Sequence, residues 1–179
     1  MNLGFDFDKI FVDYPPFIPN GIIDRLYKKK SNGELLYRIP SRLEQILRLI
    51  SHQSIFRPLI KENLIFLKKI RQKNNHKYYL ISSRFSFLKK PTQGIIKKCE
   101  FDKIFNAMYF NFENEQPHIF KNEVIKKLKI NRYIDDDLPL IKFLANENPK
   151  TFFFWLNKKD NKKLSKNLMA VTKINKILS

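Results

Sequence analysis

The strongest constraint on this chain is an alternation. Short runs of aromatic and β-branched residues recur along it, with amphipathic stretches between them. Leu3–Phe5, Ile10–Val12, Tyr78–Ile81, Met108–Phe110, Tyr133-Ile134 and Thr151–Trp155 are brief, apolar and bounded by polar residues, as strands buried on both faces are. Ser41–Ile50 opens with a Ser41-x-x-Glu44 capping box after Pro40, and Lys61–Arg71 carries Leu64, Leu67 and Ile70 at helical spacing. Phe120–Leu128 and Leu138–Leu144 read the same way. Strands alternating with helices need crossover connections. The sequence therefore predicts an α/β fold, a doubly wound parallel sheet of about five strands with helices on both faces.

The interval between the first two strands is too long for one crossover. From Asp8 to Ser82 there are 73 intervening residues, whereas a whole βαβ unit takes roughly 30. The excess holds Pro15-Pro16, Pro19, a turn at Ser31-Asn32-Gly33 and two helix candidates, Gly21–Lys30 and Ser41–Ile50. An insertion directly after the first strand sits over the strand C-termini, where open α/β sheets bind ligands. We therefore expect a core formed by residues 1–12 and 57–157, a small helical cap at 13–56, and a basic tail at 158–179 that is a peripheral helix or frayed.

Composition removes several functional classes. With 43% hydrophobic residues and 17 Phe, the 179-residue chain can bury a core. Its longest dense apolar stretch, Thr151–Leu156, is far shorter than the roughly 20 residues that cross a bilayer, so no membrane partner is expected. The opening Met1–Asp8 lacks the basic and apolar regions of a secretory signal, and Cys99 is the single cysteine. Both features point to a reducing, cytoplasmic setting. Four Gly in all exclude a Gly-rich nucleotide loop. The net charge of +18 is the footprint of a phosphate-backbone binder. However, 27 of the 35 cations are Lys scattered in short runs, beside 17 Asn. Lysines that simply solvate the surface account for this pattern, so a nucleic-acid partner is possible but not favoured.

The acid is far more concentrated than the base. Of nine Asp, five fall in two places, Asp6 with Asp8 and then Asp135-Asp136-Asp137, each directly after a predicted strand. In a parallel sheet both clusters emerge at the same edge. Carboxylates gathered that way repel one another unless a cation lies among them, and Mg2+ prefers such oxygen ligands and is generally shared with a phosphate.

Four segments in order, Phe5-Asp6-Phe7-Asp8, Leu80-Ile81-Ser82, Lys121 and Tyr133-Ile134-Asp135-Asp136, resemble the motifs of the haloacid-dehalogenase-like (HAD-like) hydrolase superfamily. The likeness spans residues 3 to about 156. Ile10 departs from the Thr or Val usual at its position. The resemblance implies a Mg2+-dependent phosphatase acting on a phosphorylated small molecule. Asp6 is then the nucleophile and Asp8 the general acid and base. Ser82 donates to the transferring phosphoryl oxygens, and Lys121 holds those oxygens and the nucleophile. Asp6, the Asp8 backbone carbonyl and Asp135 ligate the metal, with Asp136 orienting its water. Ser83 and Arg84 are close enough to bind substrate. Lys126, Lys127 and Lys129 compete with Lys121 for its role. Asp137 reads as a helix cap before Pro139. In the cap, Arg25, Lys28, Tyr37 and Arg38 could select an anionic leaving group. His52, His76 and His118 lack metal-site spacing and read as ordinary surface or partly buried residues. A basic polynucleotide-end-processing protein on the same fold is the alternative. A phosphoacceptor receiver domain fits less well, because its Lys follows the last acidic cluster.

Overall fold

The computed structural model describes residues 1–16, 28–30, 35–73, 75–157 and 159–178. After β1 (Asn2–Phe5) come a two-stranded antiparallel pair, β2 (Lys28–Lys30) and β3 (Leu35–Tyr37), and helices α1 (Arg42–Ser51) and α2 (Lys61–Lys73). Then follow β4 (Lys77–Ser82), α3 (Lys89–Cys99), β5 (Ala107–Phe110), α4 (Pro117–Lys127), β6 (Arg132–Asp135), α5 (Leu138–Glu147) and β7 (Phe152–Leu156). A final hairpin, β8 (Lys162–Ser165) and β9 (Leu168–Val171), ends in a short 3-10 turn.

The seven-stranded sheet runs in the order β5-β4-β1-β6-β7-β9-β8. Every pairing is parallel except β8 with β9. Strands β4 and β5 extend the sheet on one side of β1 and β6 and β7 on the other, so the winding reverses at β1. That reversal opens a crevice beyond the carboxyl ends of the central strands.

Strand alternation then makes two cores. Leu3, Phe5, Tyr78, Leu80, Ile134 and Phe154 face one side and pack with Leu67 and Ile70 of α2, Ile95 of α3 and the Phe101–Phe105 region. Ile81, Tyr133 and Phe153 face the other side and pack with Val124 and Ile125 of α4 and Ile141 and Leu144 of α5. Between Leu3 and Phe5, Gly4 lets β1 lie hard against β6. A Cβ there would sit 2.7 Å from Tyr133 Cδ2 and 3.3 Å from Ile130 Cγ2.

Several elements differ from the sequence reading. The tail is neither a helix nor frayed over 162–171, where it forms two strands and carries the sheet from five parallel strands to seven. Leu168, Ala170 and Val171 are buried in the sheet, which outweighs the weak helical pattern of the segment. Ile10 and Phe11 form a turn rather than a strand, and Val12 makes only isolated bridges, to Asp8 and to Leu59. The backbone loops back through Lys9 N to Val12 O, 2.8 Å, while Ile10, Phe11 and Val12 still pack into the core. The expected helix Gly21–Lys30 ends instead in β2; residues 21–27 and the turn 31–34 lie outside the described residues. Helix α3 is additional, a short amphipathic run between two strands.

Candidate active site

Register explains why distant carboxylates meet. In the parallel ladders Phe5 stands opposite both Leu80 and Ile134, so the residue after β1, the end of β4 and the end of β6 share one edge. Asp6 continues the ladder, its backbone N–H donating to Ile134 O at 3.0 Å. A crevice of about 410 Å3 opens at this edge, lined by Asp6, Asp8, Ser82, Ser83, Arg84, Lys121, Asp135 and Asp136.

Lys121 lies at the centre of the acidic group. It projects from α4, a helix started by Pro117, and its Nζ donates to Asp6 Oδ1 at 2.6 Å and to Asp135 Oδ2 at 2.7 Å. Of the four candidate lysines, Lys121 alone is buried. Tyr133 OH also donates to Asp135 Oδ2, at 3.0 Å, and the Asp137 N–H donates to Asp135 Oδ1 at 3.0 Å. One ammonium does not balance the carboxylates around it. Burial, reinforced by Asp135 and Asp8, pushes the Asp6 carboxyl up to about 7 despite Lys121. Asp136 is likewise raised by burial and by the Asp135, Asp6 and Asp137 charges. Although burial works the other way, Asp135 and Asp6 hold the Lys121 ammonium well above its ordinary value.

That surplus of negative charge suits a hard cation. Oxygens of Asp6, Asp135 and Asp136 lie within 4.8 Å of one another, close enough to share one ion. An all-oxygen set of carboxylates is what Mg2+ takes. Trp155 of β7 supports the loop from behind, its Nε1 donating to the Asp136 carbonyl at 2.9 Å. Asp137 is the N-cap of α5, accepting from Leu140 N at 3.4 Å, and also accepts from Tyr37 OH at 2.8 Å.

Asp8 has a different environment. The chain turns sharply after it through Lys9, whose left-handed φ of 60° is one that a non-glycine residue adopts at a cost of order 1 kcal/mol. Arg84 grips the Asp8 carboxylate with two bonds, Nε to Oδ2 at 2.8 Å and Nη2 to Oδ1 at 2.7 Å. Arg57 Nη2 donates to the same Oδ1. Burial pushes this carboxyl up, but Arg84 and then Arg57 outweigh it, so Asp8 lies well below the usual carboxylate range. Ser82 is buried at the end of β4 and its Oγ accepts from the Arg84 N–H at 3.4 Å.

The structure thus brings together every residue singled out at the two strand ends, Ser82 to Arg84 and Lys121. Arg84, which sequence alone reads most simply as an exposed cation, is buried against Asp8, the Phe7 ring and Thr92. Arg57 and His52 carry no signal in the sequence. Its spacing marks His52 as an ordinary surface or partly buried residue, but it lines the crevice and is buried, its pKa lowered to about 3 by burial and then by Arg84 and Arg57. Only their place, His52 inside the long insertion and Arg57 directly after it, could have singled them out. Among the candidate cap residues, Tyr37 reaches the crevice and Arg38 pairs with Glu44 at the surface. Arg25 and the Lys28 side chain lie outside the described residues. No helix among the described residues is long and apolar enough to cross a membrane.

The sequence matches no protein-family profile and no curated protein. The fold, however, has solved counterparts. A haloacid-dehalogenase-like family hydrolase from Streptococcus pneumoniae superposes with a TM-score of 0.60 at 13% identity, covering 99% of this chain and 96% of that one. A HAD-family enzyme from Bacteroides thetaiotaomicron, an aspartate-to-alanine variant in complex with magnesium and inorganic phosphate, gives 0.54 at 15% identity, covering 89% and 95%. A chain of the Pnkp1/Rnl/Hen1 RNA repair complex gives 0.52 at 17% identity; this chain covers 42% of its length, with 87% of this chain aligned. With its sheet order, its acidic crevice and these counterparts, the chain has the haloacid-dehalogenase-like fold.

Proposed function

We propose that this protein is a Mg2+-dependent phosphomonoesterase that works through an aspartyl-phosphate. The observation that carries the proposal is the Asp6–Lys121–Asp135 bridge at the sheet edge, with Asp136 beside it. Asp6, Asp135 and Asp136 would hold the cation, together with the Asp8 backbone carbonyl. Mg2+ bound there would neutralise the carboxylates and draw a phosphoryl group in by its oxygens.

The chain's own residues supply the remaining chemistry. The Asp6 carboxylate attacks phosphorus in line, dividing one hard displacement into two easier ones. Lys121 holds Asp6 in place and presents positive charge to the transferring phosphoryl oxygens. Ser82 offers its hydroxyl to the same oxygens, with Ser83 and Arg84 beside it on the crevice wall. Asp8 takes the acid–base role, a contribution worth roughly 10²–10⁴ in rate. Ionised under Arg84 and Arg57, it suits the activation of water as base; to protonate the leaving oxygen as general acid it must first be released by at least one of these guanidiniums. The insertion, whose Tyr37 and His52 line the crevice, acts as the cap that selects a phosphorylated small molecule in the cytoplasm.

The test is hydrolysis of p-nitrophenyl phosphate by purified protein. Phosphate release should require Mg2+, stop with chelator and vanish in Asp6→Asn. Hydrolysis that survives Asp6→Asn would refute the reading. A second reading, in which the ester lies at a polynucleotide end, draws on the +18 charge and on the counterpart within an RNA repair complex. It requires oligonucleotide binding that weakens steeply as salt rises.

A further inference from the structure

Helix α1 is turned opposite to its own amphipathicity. Leu43, Ile46, Leu47 and Ile50 recur at helical spacing, yet they are 54–76% exposed. The side facing the protein carries Gln45, the buried Arg48 and one apolar residue, the half-buried Leu49, and it leads to the buried His52 at the C-cap. Stability alone favours the reverse, since buried cations cost free energy and exposed leucines gain none. The inward polar side therefore has another reason to be there.

The hydrogen bonds lead from that side to Asp8. His52 Nδ1 lies 2.7 Å from the Arg48 carbonyl and His52 Nε2 lies 3.5 Å from Arg57 Nη1. A neutral imidazole satisfies both contacts, donating from Nδ1 and accepting at Nε2. The depressed His52 pKa agrees with that neutral form. Arg57, fully buried with its guanidinium over the Tyr14 ring at 5.0 Å, then donates to Asp8 Oδ1. Arg84 reaches the same carboxylate from the loop after β4. Asp8 is thus fixed from two directions, by Arg84 after β4 and by Arg57 just after the insertion, whose His52 holds Arg57 in turn.

We propose that Arg57, the first core residue after the insertion and oriented by His52 within it, is a positioning residue for Asp8, so that the insertion acts on the catalytic centre through Arg57 instead of only covering it. This rests on the phosphatase reading of Asp8. Arg57 acts only through Asp8: its bond to Oδ1 holds the carboxylate at one angle to the water that Asp8 activates.

A double-mutant cycle in kcat tests the proposal. Arg57→Ala removes one charge-assisted hydrogen bond and should lower kcat roughly 10–100-fold with little change in KM. The same change in an Asp8→Asn background should cost nothing further, because its effect passes through Asp8. Added guanidinium should restore part of the rate. Equal losses in both backgrounds, or a loss confined to KM, overturn the proposal. If Arg57→Ala does not fold, Arg57→Lys runs the same cycle with the charge kept and the planar fork lost. If the wild type hydrolyses no phosphate ester, the phosphatase reading fails on its own. The 13C signal of the Asp8 carboxyl then still decides the contact, supporting it if Arg57→Lys moves the signal and overturning it if the signal is unchanged.

Discussion

Replacing Lys121 by Met should be the most damaging single change near the site, and its size follows from the geometry. The ammonium makes two short charge-assisted bonds, 2.6 Å to Asp6 and 2.7 Å to Asp135, and all three side chains are at most 8% exposed. Met keeps the length and the apolar packing, so the loss is electrostatic. Removing one partner from a buried ion pair costs about 3–5 kcal/mol, because the remaining charges stay buried without compensation. Against a total stability of roughly 5–15 kcal/mol for a domain, that is a large share. With a urea m-value of about 2 kcal/mol/M, the unfolding midpoint should fall by about 1.5–2.5 M. The loss should be smaller at pH 5.5 than at pH 8, since a protonated Asp6 no longer needs the ammonium. Urea unfolding at both pH values, without divalent metal, measures it. A midpoint shift below about 0.5 M at pH 8, or one independent of pH, would refute the reasoning.

Other consequences are as specific. In metal-free protein the Asp6 carboxyl stands near 7 folded against an ordinary 3.8, so the folded state holds a proton that the unfolded chain has released. Stability should therefore fall as pH rises from about 4 through 7, and the gain in Tm from Mg2+ should be larger at pH 8 than at pH 5.5. Asp8 has the opposite sign: its stabilisation is present above the ordinary carboxylate range and lost in strong acid as pH falls through its lowered value. Trp155 is the single tryptophan and its Nε1 holds the Asp136 carbonyl, so Mg2+ binding should change intrinsic fluorescence, and the change should disappear in Asp136→Asn. Gly4→Ala drives a methyl to 2.7 Å from the Tyr133 ring and should destabilise by about 1–3 kcal/mol; a neutral effect would disprove the close β1–β6 contact.

The central part of the fold was legible because strands buried on both faces leave a dense apolar signal. Tyr78–Ile81 and Tyr133-Ile134 could be placed for that reason, and the carboxylates that follow β1 and β6 could be assigned to one edge. The terminal hairpin was not legible. Its β8 strand is exposed and lysine-rich, so only the partner β9 and the sheet edge make it a strand. Ile10–Val12 misled for the opposite reason, being buried in a turn that meets other backbone only in isolated bridges at Val12 and forms no strand of the sheet. Lys121 could be proposed but not distinguished from nearby lysines until burial singled it out. Arg57 was invisible because nothing local marks it; its role arises from a contact with Asp8, 49 residues away.

The phosphoenzyme tests the central claim most directly. Protein quenched in acid during turnover of a phosphate ester with Mg2+, then digested and weighed, should show a phosphoryl-sized increment on the peptide that contains Asp6. The increment should be absent from Asp6→Asn. Turnover that leaves no mark on that peptide, or a phosphoryl group found on another residue, contradicts the account.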